Sequence, residues 1–162
     1  MRGAHLVVAV PVRASAGDVW AALTDWDAQG EWMAATRVRA VDGDGGHRVG
    51  ARIEAFTGWG RLGFLDTMVV EEWRPPMRCV VRHTGSVVRG TGVFEISPDP
   101  RADDRVQLIW HEYLELPGGA AGAWGFAVAR PLLVYFVRWS LTRLARLVED
   151  RAGSQLDSRA SP

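Results

Sequence analysis

The chain has no lysine. All nineteen of its basic residues are arginine, and they face nineteen acids. The absence excludes Schiff-base chemistry and a phosphate-binding P-loop, both of which use a lysine amine. The balanced charge removes the basic field that nucleic-acid binding relies on, and equally a strongly acidic partner surface. With a single cysteine, Cys79, there is no internal disulfide and no multi-cysteine metal site. Long apolar runs are also missing. The most apolar stretch, Ala120–Trp139, is interrupted by Gly122, Gly125, Arg130 and Pro131, so no integral membrane span is expected. Leu6–Val12 is short and broken by Pro11, which reads as a strand rather than an export signal, and a cytoplasmic location is expected.

Against these absences stand eight tryptophans in 162 residues. Rings of that size need a large core or a large cavity. The length fits one domain, expected over residues 1–151, which can bury roughly two-thirds of its unfolded surface without covalent staples. The polar segment 152–162 reads as a disordered tail.

Periodicity orders the elements. His5–Arg13 alternates as a strand with Leu6, Val8, Val10 and Val12 on one face. Ser15 with Asp18 forms the aspartate version of a capping box and opens a short helix. Asp25 opens a second short helix running to about Ala34. Six strands follow, at Arg37–Val41, Val49–Phe56, Phe64–Trp73, Met77–Thr84, Arg89–Ile96 and Arg105–Leu116. Beyond Pro117-Gly118-Gly119 the period becomes helical, with Leu133, Val137, Leu141, Leu144 and Val148 on one face and Pro131 beginning or kinking the helix. The fold class is α+β. A single long helix covers a seven-stranded antiparallel sheet most economically if the sheet curves around it and leaves a cavity between them.

This order resembles the START-like SRPBCC superfamily, in its polyketide cyclase/dehydrase group, over roughly His5–Arg151. The resemblance rests on VPVRASAGDVWAALTDWDAQGEW, on RVGARI, on VVEEWRPPMRCVVRH with its proline pair, and on GTGVFEISP followed by VQLIWHEYLEL. It implies a helix-grip fold whose internal cavity is lined by the inner face of the sheet, the second short helix and the C-terminal helix. It implies no single activity, because the superfamily includes carriers, aromatase/cyclases and co-chaperone domains. In the aromatic cyclases an arginine on a central strand orients a poly-β-ketone. The matching position falls near Thr67–Val69, where no arginine stands, and this counts against cyclase chemistry.

Several motifs invite a functional reading. Gly58-Trp59-Gly60-Arg61-Leu62-Gly63 matches G-x-G-x-x-G, but a strand follows where a dinucleotide site needs a helix. It reads as a portal loop with Trp59 as a gate. Asp42-Gly43-Asp44-Gly45 would place Ile53 where a calcium loop needs an acid, so it reads as a hairpin turn. His111 and Glu112, adjacent on a strand, point to opposite faces. Glu112 belongs with Val106, Leu108, Trp110 and Leu114, either as a cavity carboxylate or as a rim residue paired with arginine. His83, on the face of Val81 and Cys79, is an acid/base candidate or a satisfied structural histidine. Arg130, alone between Phe126 and Leu133, binds a carboxylate or ketone oxygen of a ligand, pairs with Glu112, or snorkels to the surface. Gly118–Val128 is read as a lid rather than a membrane contact, because it lacks cations.

The resulting expectation is a protein that binds an apolar or aromatic, lipid- or polyketide-like molecule in an internal cavity. The expected contacts are Trp32, Phe56, Trp59, His83, Trp110, Glu112, Phe126, Arg130 and Tyr135. No catalytic residue is assigned, and neither a cofactor nor a metal is expected. The protein is expected to be a monomer or homodimer. The alternatives are a cyclase, aromatase or dehydratase acting through cavity acids and bases, and an interaction domain whose cavity is filled. A cavity above about 300 Å³ separates the first two readings from the third.

Overall fold

A computed structural model describes residues 2–116 and 119–160. Strand β1 (Arg2–Val12) buries Leu6, Val8, Val10 and Val12 and leaves Val7 exposed, as the alternation predicts. Ser15 then caps helix α1 (Ala16–Thr24). Its Oγ accepts from the Asp18 amide at 3.1 Å, and its hydroxyl donates to the Asp18 carboxylate at 2.6 Å. Asp25 accepts from the Ala28 amide at 3.3 Å and opens a 3-10 helix over Asp27–Glu31. That helix stops short of Ala34, and Ala35 at φ 52° turns the chain into the first strand of the meander.

The meander comprises β2 (Thr36–Ala40), β3 (Arg52–Trp59), β4 (Leu62–Arg74), β5 (Arg78–His83), β6 (Gly90–Pro98) and β7 (Val106–Leu116). Every neighbouring pair is antiparallel, in the order β1-β7-β6-β5-β4-β3-β2. Between β2 and β3, Asp42 accepts from the Arg52 amide at 2.9 Å and its guanidinium at 3.0 Å. Those bonds hold its carboxyl below the usual range, and they commit it to the turn rather than to an ion. The glycine motif is the β3–β4 hairpin tip, with Gly60-Arg61 between Trp59 and Leu62. A Cβ on Gly58 would collide with the Leu62 carbonyl, so close backbone approach explains that glycine. A register shift between Val70 and Glu72 reverses the parity of β4. Asp66 and Met68 face the concave side ahead of the shift, and because of it so does Trp73 further on, which meets Trp20 edge-on at 5.0 Å.

Helix α2 (Gly119–Ala160) contains Pro131 within it rather than starting there. The helix continues to Ala160, through much of the segment that composition reads as a disordered tail. Its two halves differ. Leu141, Leu144 and Val148 are buried against β1 and α1 at the helical spacing predicted, and Ser140 and Ala145, which that spacing leaves out, are buried with them. Trp124, Val128, Leu132 and Tyr135 are exposed. The architecture is the helix-grip fold, a curved seven-stranded sheet around a long C-terminal helix. Among the described residues no helix is long and apolar enough to cross a membrane.

Candidate functional site

The concave faces of β2 to β7, the 3-10 segment and one residue of α2, Leu133, line a cavity of about 250 Å³. Apolar side chains dominate its wall, among them Met33, Val38, Ile53, Met68, Phe94 and Trp110. A cavity of about 150 Å³ is known to hold a benzene, whereas drug-sized sites start near 300 Å³. The space therefore suits one or two fused rings rather than an extended chain, and it falls just under the expected threshold.

Four polar side chains form one chain across this wall. His83 Nδ1 lies 2.6 Å from Asp66 Oδ2, and His83 Nε2 lies 2.8 Å from Glu112 Oε1. Trp110 Nε1 donates to Glu112 Oε2 at 2.8 Å. Against two ionised carboxylates, which only accept, the ring donates from both nitrogens and carries a positive charge. Burial alone would drive the proton off, but hydrogen bonds and charge from Asp66 and Glu112 outweigh it and push His83 up to about 9. Two carboxylates around one imidazolium leave the cluster formally anionic by one charge.

Strand registers create this chain. Asp66, His83 and Glu112 come from β4, β5 and β7, and β6 lies between the last two. At the crossing point β6 has Gly92, paired to Val81 on one side and Glu112 on the other. A Cβ there would sit 3.2 Å from Val81 Cγ2, 3.4 Å from Glu112 Oε2 and 3.7 Å from His83 Nε2. The glycine leaves the corridor through which the two side chains meet.

Of the nine expected contacts, His83, Trp110 and Glu112 line the cavity. Glu112 is bound to histidine and tryptophan rather than to an arginine. Trp32 is sealed in the core at 2% exposure. Phe56 lies on the opposite parity from the lining residues Ala55 and Thr57, beneath the Arg37 guanidinium at 5.5 Å. Trp59 is 81% exposed at the hairpin tip. Phe126 is half-buried and outside the lining, while Arg130 and Tyr135 are exposed. Arg130 and Tyr135 lie on the solvent side of a stretch of α2 whose inward contacts are made by Leu133, Val134 and Val137, so apolar neighbours in sequence do not bury them. Arg130 takes the surface option. Asp66 was not anticipated, because both faces of Phe64–Val70 are comparably apolar and only the register with β5 selects one.

Other reactive groups stand apart from the cavity or are inert. The thiol of Cys79 is fully buried and pushed up to about 12, by burial first and by Glu72 second. His111 points outward, where its ring stacks with His5 at 5.5 Å. Burial and then the Arg78 charge lower its pKa. Among the described residues no three His, Cys, Asp or Glu are grouped to hold a metal ion.

Comparison with known proteins bears on the fold. The sequence model of a family described as "Polyketide cyclase / dehydrase and lipid transport" matches residues 3–149. No match is found among curated proteins. Solved structures that resemble the chain include the Zhui aromatase/cyclase from Streptomyces sp. R1128, at 14% identity and TM-score 0.74, covering 93% of this chain and 96% of that one. The di-domain aromatase/cyclase StfQ of the steffimycin biosynthetic pathway is 16% identical with TM-score 0.72, covering 93% of this chain and 52% of its own. A norcoclaurine synthase from Thalictrum, in complex with a transition-state analogue, is 14% identical with TM-score 0.66, covering 93% and 97%. At such identities the likeness establishes the fold alone.

Proposed function

The chain belongs to the polyketide cyclase/dehydrase and lipid transport family, and from that premise we propose that it binds a small apolar or aromatic molecule whose polar end is a hydrogen-bond donor. The observation that carries this reading is an apolar cavity closed at one wall by the Asp66–His83–Glu112 chain. Apolar contact with Met68, Phe94 and Trp110 supplies most of the affinity. The cluster has a negative excess, so it favours a hydroxyl, an amide N–H or an amine and opposes a carboxylate. The ligand polarity is thus opposite to the one expected from Arg130, which the fold leaves at the surface.

Acid–base catalysis is less well supported. His83 is tied at both nitrogens, and acting as a base would require it to give up a proton held by two carboxylates. Cys79 has no part in the cavity, and the arginine of the aromatic cyclases has no counterpart, since Met68 occupies the inward position on that stretch.

Isothermal titration with naphthalene, 2-naphthol and 2-naphthoate tests the reading. Naphthol should bind tightest, with naphthoate weaker by about tenfold or more, the cost of one unfavourable polar placement. If none of the three binds, the cavity reading fails and the interaction-domain alternative takes its place. Tightest binding of naphthoate overturns the assigned ligand polarity. Turnover of a β-ketone that His83→Gln abolishes would make the protein an enzyme instead.

A further inference from the structure

The exposed side of α2 reverses in character along its length. From Arg138 to Arg151 it carries Arg138, Arg143, Arg146, Asp150 and Arg151, as the outer side of a surface helix should. From Trp124 to Tyr135 it carries Trp124, Val128, Leu132 and Tyr135, at spacings of four, four and three. At 3.6 residues per turn these four fall within about 80° of arc, so they form one apolar stripe facing water. Trp124 is 76% exposed and Leu132 71%. Two other segments at the same opening share this character. The β3–β4 tip presents Trp59 and Leu62, the latter 84% exposed, and the loop after β5 presents Val87. All three segments reach the cavity, which Phe64, Val88 and Leu133 line, and the exposure of Phe64 and Leu133 puts them at its rim.

The charges of these segments select the partner. Residues 57–65, 84–91 and 122–138 contain Arg61, Arg89, Arg130 and Arg138 and not one acid, although the whole chain is neutral. Among the described residues none of these four arginines has a carboxylate partner within 4.0 Å. Glu115 is the acid beside Arg89: its amide donates to the Arg89 carbonyl at 3.0 Å and the two border one surface groove away from the cavity, so the cations that face the partner are Arg61, Arg130 and Arg138. We propose that this rim docks on an anionic phospholipid bilayer. Trp59, Leu62, Trp124, Val128 and Leu132 enter the interface, and the arginines meet lipid phosphates. A second copy of the chain is a poorer occupant, because a two-fold contact would set arginine against arginine with no acid to accept either. The cations that Gly118–Val128 lacks on its own come from the hairpin and the next helical turns. The cavity mouth then opens onto lipid, so an apolar ligand passes between membrane and cavity without crossing water.

Docking goes beyond ligand binding and is measured without any ligand. Co-sedimentation with vesicles of phosphatidylcholine alone, and with about one-third phosphatidylglycerol, is the experiment. Binding should appear with the anionic vesicles and fall several-fold between 0.05 and about 0.5 M salt. Arg61→Glu should weaken it about fivefold or more. Leu62→Asp with Val128→Asp should abolish it while leaving the circular dichroism spectrum and melting temperature unchanged, because neither residue is packed. Brominated lipid should quench tryptophan fluorescence in the native protein, and less so in a Trp59→Leu/Trp124→Leu variant that still binds. Equal binding to neutral vesicles, or no binding to either, overturns the proposal. So does a dimer by sedimentation equilibrium that the Asp variants dissociate.

Discussion

His83 Nε2 and Glu112 Oε1 are 2.8 Å apart although their strands are not neighbours. The bond spans β6, and residue 92, a glycine, leaves open the space through which the two side chains meet. Two strands that never pair are thereby joined through the concave face of the sheet, at the wall of the cavity.

That bond makes stability depend on pH in a definite direction. The folded pKa of His83 is raised from 6.5 to about 9, so the unfolded state loses its proton first as pH rises. The stabilisation is complete below about pH 6.5 and is lost through about pH 9. Urea unfolding at pH 6.5 and 9 should differ by up to about 3 kcal/mol on this account. His83→Gln should flatten the slope. A wild-type protein as stable at pH 9 as at 6.5 would refute the charged, doubly bonded histidine.

Gly92 offers a steric test of the same chain. Gly92→Ala places a methyl 3.2 Å from Val81, which a small shift accommodates. Gly92→Leu overfills the corridor, with an expected cost of about 1–3 kcal/mol. It should also separate His83 from Glu112. Nitrogen-15 spectra of the imidazole report that separation directly, and naphthol affinity should drop by about tenfold or more. Retention of both the doubly protonated ring and the affinity in Gly92→Leu would show that the corridor is not needed.

Packing along α2 is unequal, and truncation on the two halves should show it. Leu141 is fully buried, and Leu141→Ala should cost about 2–5 kcal/mol. Leu132 is mostly exposed, and Leu132→Ala should stay within about 0.5 kcal/mol. Chemical denaturation of the two variants is sufficient. Similar losses would mean that the N-terminal half of the helix is packed after all.

Much of this arrangement could be read before folding, and the exceptions have physical reasons. Alternation on β7 placed Glu112 and Trp110 on one face with Leu108, and the same logic placed His83 with Val81 and Cys79. The spacing of Leu141, Leu144 and Val148 identified the gripping side of α2. Asp66 escaped because β4 is apolar on both faces, and its inward side is chosen by pairing with β5, a long-range fact. Phe56 was misplaced because size suggests burial, while the inward parity on β3 belongs to Ile53, Ala55 and Thr57. For Arg130 the apolar neighbours left ligand, ion-pair and surface positions all open, and only the fold, which leaves it exposed, selects the surface one.

Pro131 lies within the exposed half of α2, about two turns ahead of the buried side that begins at Ser140. It has no amide hydrogen to offer the Ala127 carbonyl, so the helical ladder is one rung short at that seam. Ahead of the seam the helix is held by its own backbone bonds and little else; from Val134 onward the core holds one side of it. Bending the leading half consequently draws on a small, local store of stability, separate from the one that keeps the body folded. The entrance can change shape while the fold that surrounds the cavity stays intact.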